Sequence, residues 1–229
     1  MISREAQQLF DHFTMYPDAD PVAIDLAHDV LIAGMILSRK PQRVAEFGVG
    51  SGFVSGLIAK ALHLNAAGRL TCVDNLHDWK GAVPPQIEKL HSLGRVEFVR
   101  EDEYAFLKKC PSKAFDLIVS DGDHVNAYYF LDHIFRVAAK DAVIFFHDTN
   151  NSIFPNLRKV ERVIKAHGLF YCHFREKTIA QERTDRGLLL VFKNKDVPVN
   201  IPLKDRLRWQ WKMLKVKRRA KARRLASGA

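Results

Sequence analysis

Short apolar runs alternate with helix-length segments along most of this 229-residue chain, and that alternation limits the fold more than any other feature. Strands are expected at RVAEF (43–47), RLTCVD (69–74), RVEFV (95–99), FDLIVSD (115–121) and AVIFFHD (142–148). Helices are expected over GFVSGLIAKALH (52–63), around Pro85–Leu93, over EYAFLKK (103–109), over about 126–139 and over NLRKVERVIKAHG (156–168). Five strand–helix alternations imply a parallel sheet covered on both faces. LFYCHF (169–174) and GLLLVFK (187–193) follow with only a loop between them, so an antiparallel hairpin is expected at one edge. The predicted fold class is α/β: a doubly wound seven-stranded sheet, mostly parallel with an antiparallel last strand.

Ahead of the sheet, a helix is expected over about 3–13. A second is expected from Asp20-Pro21, an N-cap followed by proline at the first helical position, to about Ser38. We divide the chain into N-terminal helices on the substrate side (1–40), a core (41–195) and a basic tail, helical in part (196–229). The longest apolar run, VLIAGMIL (30–37), is far shorter than the roughly 20 residues that cross a bilayer. The opening MISREAQQLF lacks the basic start and apolar centre of a secretory signal. Cys72, Cys110 and Cys172 are isolated, without metal-ligand spacing, and read as reduced thiols. A cytoplasmic protein is expected.

The first strand runs into EFGVGSG, with Gly48, Gly50 and Gly52 at alternate positions. Glycines at a strand end permit positive φ and let backbone amides approach a ligand. A dinucleotide site asks for G-x-G-x-x-G. Here the third glycine comes one residue early, and Phe53 occupies the position that pattern needs. Asp74 ends the second strand, 22 residues beyond Gly52, with Asn75 beside it. A carboxylate there can accept ribose hydroxyls. The alternative readings are a tight turn without ligand and an aspartate that caps the next segment.

The spacing E-x-G-x-G-x-G resembles the first motif of class I S-adenosylmethionine-dependent methyltransferases, and the resemblance implies a Rossmann-like core. It further implies that Glu46, Gly48, Gly50 and Gly52 bind the methionyl part of S-adenosylmethionine, that Asp74 and Asn75 bind its ribose, and that Asp102 contacts the adenine. Glu101 could take the place of Asp102, and either could instead cap the adjacent helix. Trp79 is a further residue that could flank the adenine.

VSDGDH (119–124) and FFHDTNN (145–151) end the fourth and fifth strands. Neighbouring strands lie about 4.8 Å apart, so Asp121 and Asp148 are expected to converge. So many polar groups at two strand ends make poor core material, because buried charges need partners or a metal. DGDH followed by HDT looks like the sugar and small-molecule O-methyltransferase branch, with the similarity extending over about 20–193. Some relatives of that kind place a divalent cation such as magnesium between the fourth-strand aspartate and two acids after the fifth strand. This chain has His147-Asp148 where they carry two acids, and magnesium prefers oxygen ligands. The resemblance therefore implies Asp121 and Asp148 as metal ligands or bases, with His124 or His147 relaying the proton. The other reading of either histidine is a cap on a backbone carbonyl.

Net charge is +10, and residues 203–229 account for all of it, with eleven Lys and Arg against Asp205 alone. On a helix Leu203, Leu207, Trp211 and Leu214 form one stripe, and Trp209, Met213 and Val216 another. Basic helices with tryptophan suit an anionic membrane surface, here through 203–225, and a basic cluster also suits RNA. Packing on the body or on a second subunit, as in a homo-oligomer, is the bland alternative. The function expected is O-methylation of a hydroxyl on a small polyhydroxylated or sugar-containing acceptor, such as a glycan, glycolipid or natural product, at a cytoplasmic or peripheral inner-membrane location. The alternatives are a nucleic-acid methyltransferase and a non-catalytic cofactor-binding protein.

Overall fold

The computed structural model describes residues 26–77, 94–175 and 186–226. The expected helices at 3–13 and Pro85–Leu93, the Asp20-Pro21 helix start and Trp79 lie outside those residues.

The described chain runs α1 (Leu26–Arg39), β1 (Arg43–Phe47), α2 (Phe53–Leu64), β2 (Arg69–Asp74), β3 (Val96–Arg100), α3 (Glu103–Lys109) and β4 (Phe115–Ser120). It continues with α4 (Leu131–Val137), β5 (Ala138–Phe146), α5 (Val160–Ala166), β6 (Phe170–Phe174), β7 (Leu188–Phe192) and α6 (Leu203–Ala226). The seven strands form one sheet in the order β3-β2-β1-β4-β5-β7-β6. β1 to β5 are parallel, and β7 runs antiparallel to both β5 and β6. The fold is the expected Rossmann-like α/β sheet. The last two strands do form an antiparallel pair, but β7 inserts beside β5 and leaves β6 at the edge.

Alternation within the strands explains why both faces are covered. Val44, Leu117, Val119, Val143, Phe145, Leu188 and Leu190 face α1 and α2, packing with Ile32, Ile36, Ile58 and Leu62. Ala45, Phe47, Ile118, Ile144, Phe146, Leu189 and Val191 face the opposite layer, packing with Leu107, Leu131, Ile134, Phe135, Val160 and Ile164 of α3, α4 and α5. Nearly all are fully buried, and each such side chain contributes about 1.5–3 kcal/mol of apolar transfer energy.

Two helices differ from expectation: 156–168 opens with a 3-10 turn (Leu157–Lys159) before α5, and 126–139 departs further. The segment 126–139 is a short 3-10 turn (Ala127–Phe130), then α4, and β5 begins at Ala138, four residues earlier than expected. Ala138 pairs with Phe115 and the register shifts before Val143 meets Leu117, so the extra strand residues are accommodated by an irregularity in the ladder.

Strand order reverses between β1 and β4, the position where open α/β sheets bind ligands. The ends of these strands are tied together: the Asp121 N–H donates to the Phe47 carbonyl at 2.8 Å, and the Gly48 N–H to the Val73 carbonyl at 3.0 Å. Gly48 has φ 82°, and a Cβ there would stand 2.4 Å from Gly122 Cα and 2.5 Å from the Asp121 carbonyl oxygen. Gly50 also has positive φ, yet nothing lies within 4 Å of its added Cβ. Gly48→Ala is expected to cost about 2–4 kcal/mol, combining left-handed strain with backbone overpacking. Gly50→Ala, with strain alone, is expected to cost about 1 kcal/mol. Denaturant midpoints of the two variants measure the difference.

Candidate active site

The turn after β1 is organised by carboxylates as much as by glycine. Asp74 Oδ2 accepts the Val49 N–H at 2.8 Å, and its Oδ1 accepts the Leu76 N–H at 2.6 Å. Each oxygen keeps a lone pair for a ligand. Asn75 is exposed, and its Oδ1 accepts the His77 N–H at 2.8 Å. Glu46 points from β1 toward α2 and is buried, with Oε2 accepting the Ser55 hydroxyl at 2.5 Å and lying 3.5 Å from Cys72 Sγ. Burial, only partly offset by those bonds, pushes its carboxyl up to about 8.

Asp102 caps α3, its Oδ1 accepting the Ala105 N–H at 2.9 Å. Helix capping is thus what its described contacts show, although it also lines the cavity. Glu101 pairs with Lys109 at 2.6 Å. The neighbouring Glu103 was not singled out from sequence. It is buried, accepts the Asp123 N–H on Oε2 at 2.9 Å, and its Oε1 has no hydrogen-bond partner among the described residues. Burial raises this carboxyl to about 7.

Beyond β4 and β5 the four predicted polar residues meet. Asp121 Oδ1 lies 3.0 Å from His124 Nε2 and 3.0 Å from His147 Nδ1. The same His124 nitrogen is 3.3 Å from Asp148 Oδ2, so this imidazole sits between two carboxylates. Burial works against charge on Asp121, but the two histidines override it and hold the carboxyl far below its usual range. Burial likewise disfavours the His124 imidazolium, yet Asp121 and then Asp148 raise its proton affinity above the ordinary value. Phe154 stacks on the His124 ring at 4.6 Å, and His28 of α1 meets His147 edge-on at 5.3 Å.

Asp148 holds a φ of 55°, unusual for a non-glycine residue. Its turn is pinned to the start of β7 by Thr149 N–H to the Gly187 carbonyl (3.2 Å) and Asn150 N–H to the Arg186 carbonyl (2.8 Å). The Thr149 hydroxyl lies 3.0 Å from His173 Nε2, whose other ring nitrogen is 2.8 Å from Glu161 Oε2. Asn151 Nδ2 donates to Asp148 Oδ1 at 3.3 Å, and Arg186 Nε stands 4.0 Å from that oxygen. Asp123 has a local role: it caps the turn over 123–126, accepting the Asn126 N–H at 3.0 Å.

The glycine turn and the acid–histidine cluster share one cavity of about 840 Å³, lined among the described residues by Glu46, Gly48, Gly50, Asp74, Asn75, Asp102, Glu103, Asp121, His124, Asp148, Phe154 and Arg186. Gly52 and His147 are not among its lining residues; Gly52 caps α2, and His147 reaches the cavity through Asp121. The volume is within the range of about 300–1,000 Å³ typical of ligand sites.

Residues 45–149 match the family model described as a methyltransferase domain. No curated protein sequence matches the chain. Several solved structures share the fold. The cofactor-bound Rv0187 from MTB is 16% identical, with 85% of this chain and 91% of that chain covered at a TM-score of 0.64. An O-methyltransferase from Bacillus cereus, in complex with SAH, is 13% identical, with 84% and 91% covered and a TM-score of 0.63. The O-methyltransferase TomG from Streptomyces achromogenes, involved in tomaymycin synthesis and bound to SAM, is 13% identical, with 84% and 90% covered and a TM-score of 0.61. Residues 45–149 thus match a methyltransferase domain, and the chain shares its fold with these methyltransferase structures.

The buried acids set a pH dependence. Glu46 and Glu103 bind protons more tightly folded than unfolded, so stability falls as pH rises from about 4.5 toward 8. His124, also raised, stabilises fully below its unfolded value near 6.5 and loses that contribution as pH rises further, in the same direction. Asp121, held low, contributes fully above its unfolded value near 3.8 and loses that contribution only as pH falls below it. Glu46→Gln, which keeps the shape and removes the ionisation, is expected to flatten the slope between about pH 5 and 8. Denaturant melts across that range check it.

Proposed function

We propose that this chain is an S-adenosylmethionine-dependent methyltransferase that methylates a hydroxyl group on a small polyhydroxylated or sugar-containing acceptor. The observation that carries the reading is the cluster of Asp121, His124 and Asp148, which opens on the same cavity as the glycine turn. S-adenosylmethionine brings a methyl group already activated on sulfur, so the protein has only to align the acceptor and remove its proton.

Glu46, Gly48, Gly50, Gly52, Asp74, Asn75 and Asp102 are the residues we assign to donor binding. Glu46 lines the cavity, and a bound ammonium would offset its desolvation and favour the ionised carboxylate that pairs with it. Asp121 and His124 divide the acid–base work according to their proton affinities. A carboxylate held this far below its normal range is a weak base and a firm anchor. The imidazole it supports is the better proton acceptor, and Asp148 stabilises the cation that results. His147 steadies Asp121 from the other side. The contact of His28 with His147 supports assigning the segment through residue 40 to the acceptor side.

A divalent cation fits the same trio. One atom each from Asp121, His124 and Asp148 lie within 4.8 Å of one another, so His124 rather than His147 completes the ligand set. Two oxygens and one imidazole nitrogen suit a borderline transition metal better than magnesium. Bound there, a cation would lower the pKa of a coordinated hydroxyl. The sugar preference rests on the resemblance of DGDH…HDT to sugar O-methyltransferases.

Incubation with labelled S-adenosylmethionine and fractionated extracts, read by mass spectrometry, is expected to yield a methylated hydroxyl product; methylated nitrogen or nucleic acid alone would sink the reading. Asp121→Asn is expected to lower kcat at least about 100-fold while donor binding stays within a few-fold. Turnover close to wild type would exclude the central role of Asp121. Because His124 acts as acceptor only when neutral, kcat/KM is expected to rise with pH through an apparent value above 6.5, a rise that His124→Gln abolishes.

A further inference from the structure

The helix α6 docks on the body by one face only. Trp209 is buried, stacking on Tyr129 at 5.8 Å and meeting Tyr104 edge-on at 5.2 Å, while its Nε1 donates to Asn126 Oδ1 at 3.2 Å. The Tyr128 hydroxyl donates to Asp205 Oδ2 at 2.7 Å, and Arg206 donates to Asp132 Oδ2 at 3.0 Å. These contacts fix the rotation of the helix about its axis. They use the face of Asp205, Arg206 and Trp209 and leave the stripe of Leu203, Leu207, Trp211 and Leu214 outside.

That outer stripe is apolar. Leu203, Leu207, Trp211 and Leu214 are 69%, 47%, 65% and 51% exposed. At about 100° per residue the four fall within an arc of about 80°. Beside them Lys204, Arg208, Lys212 and Lys215, all exposed, occupy the next arc. The sequence of the same helix continues through Arg224 with six further basic residues.

We propose that this outward face of α6 binds an anionic lipid surface, lying in the interface with Leu203, Leu207, Trp211 and Leu214 inserted and the basic arc on the headgroups. Charge and shape select this occupant. A second copy of the chain would bury the leucines, but it would set one strongly cationic helix against another. A nucleic acid would satisfy the lysines and arginines and leave four large apolar side chains in water. An anionic bilayer surface satisfies both, and tryptophan is suited to its interfacial region. No helix among the described residues is long and apolar enough to cross a membrane, so the contact is with the surface.

The test uses the full chain with vesicles of phosphatidylcholine, alone or with about 30% phosphatidylserine, in flotation and tryptophan-fluorescence titrations. Binding is expected to be at least about tenfold tighter to the anionic vesicles and to weaken as salt rises from about 0.1 to 0.5 M. The double variant Leu207→Glu/Trp211→Glu, changed only on the solvent-facing stripe, is expected to lose binding at least about tenfold while its circular dichroism and thermal midpoint stay unchanged. Failure of the full chain to float with anionic vesicles overturns the proposal, as does equal binding by the variant. A dimer that the double variant dissociates, or RNA binding that the variant retains, overturns it when vesicle binding is absent.

Discussion

The close approach of the β1 and β4 ends is the constraint on which the site depends. Gly48 and Gly122 pass so near each other that neither position has room for a Cβ: one would clash with backbone, the other with the Glu103 carboxylate at 2.6 Å. That contact places a turn rich in backbone amides beside Asp121, on the first residue after its strand. Parallel pairing of β4 with β5 then brings His147 and Asp148 to the same edge, with the His147 N–H bonded to the Ser120 carbonyl at 3.1 Å. The glycine turn and the acid–histidine cluster share one cavity because three adjacent parallel strands end together.

The carboxyl groups around that cavity behave in two ways, and the difference lies in their partners. Glu46 has a hydroxyl and a thiol, and Glu103 one backbone amide, so desolvation dominates and both favour the protonated form. Asp121 is also enclosed but receives two imidazoles on a single oxygen and stays ionised. A donor carrying a positive charge would change the balance for the first kind. The second kind is already settled by the protein's own histidines.

Much of this was legible in the chain because parallel strands leave a regular trace. Apolar runs of strand length separated by helix-length segments were enough for the sheet, and strand ends identified Glu46, Asp74, Asp121 and Asp148. What escaped detection depends on contacts remote in sequence. The early start of β5 reflects pairing with Phe115, and the insertion of β7 beside β5 has no local signal. Glu103 was overshadowed by the two acids before it. The start of α3 makes the difference: Asp102 becomes the cap, and Glu103, in the first turn, is directed back under the β4 loop. Arg186 and Phe154 come to the site on loops whose position no periodicity describes.

The departure of HD from the expected pair of acids has a structural counterpart. His147 does not stand in for the missing carboxylate, since its Nδ1 is bonded to Asp121 and it is absent from the trio able to share a cation. In the proposed function the vacant role passes to His124, which reaches back from the turn after β4 and lies against both Asp121 and Asp148. Two histidines therefore converge on one aspartate, His147 from the end of β5 as a brace and His124 from the turn after β4 as the proposed reactive group. This arrangement needs no second acid, because the imidazole can serve as a metal ligand when neutral and as a proton carrier when it is not. In the proposed function, an imidazole in place of the second acid shifts the cations the site would suit toward borderline transition metals and keeps a group to accept the proton.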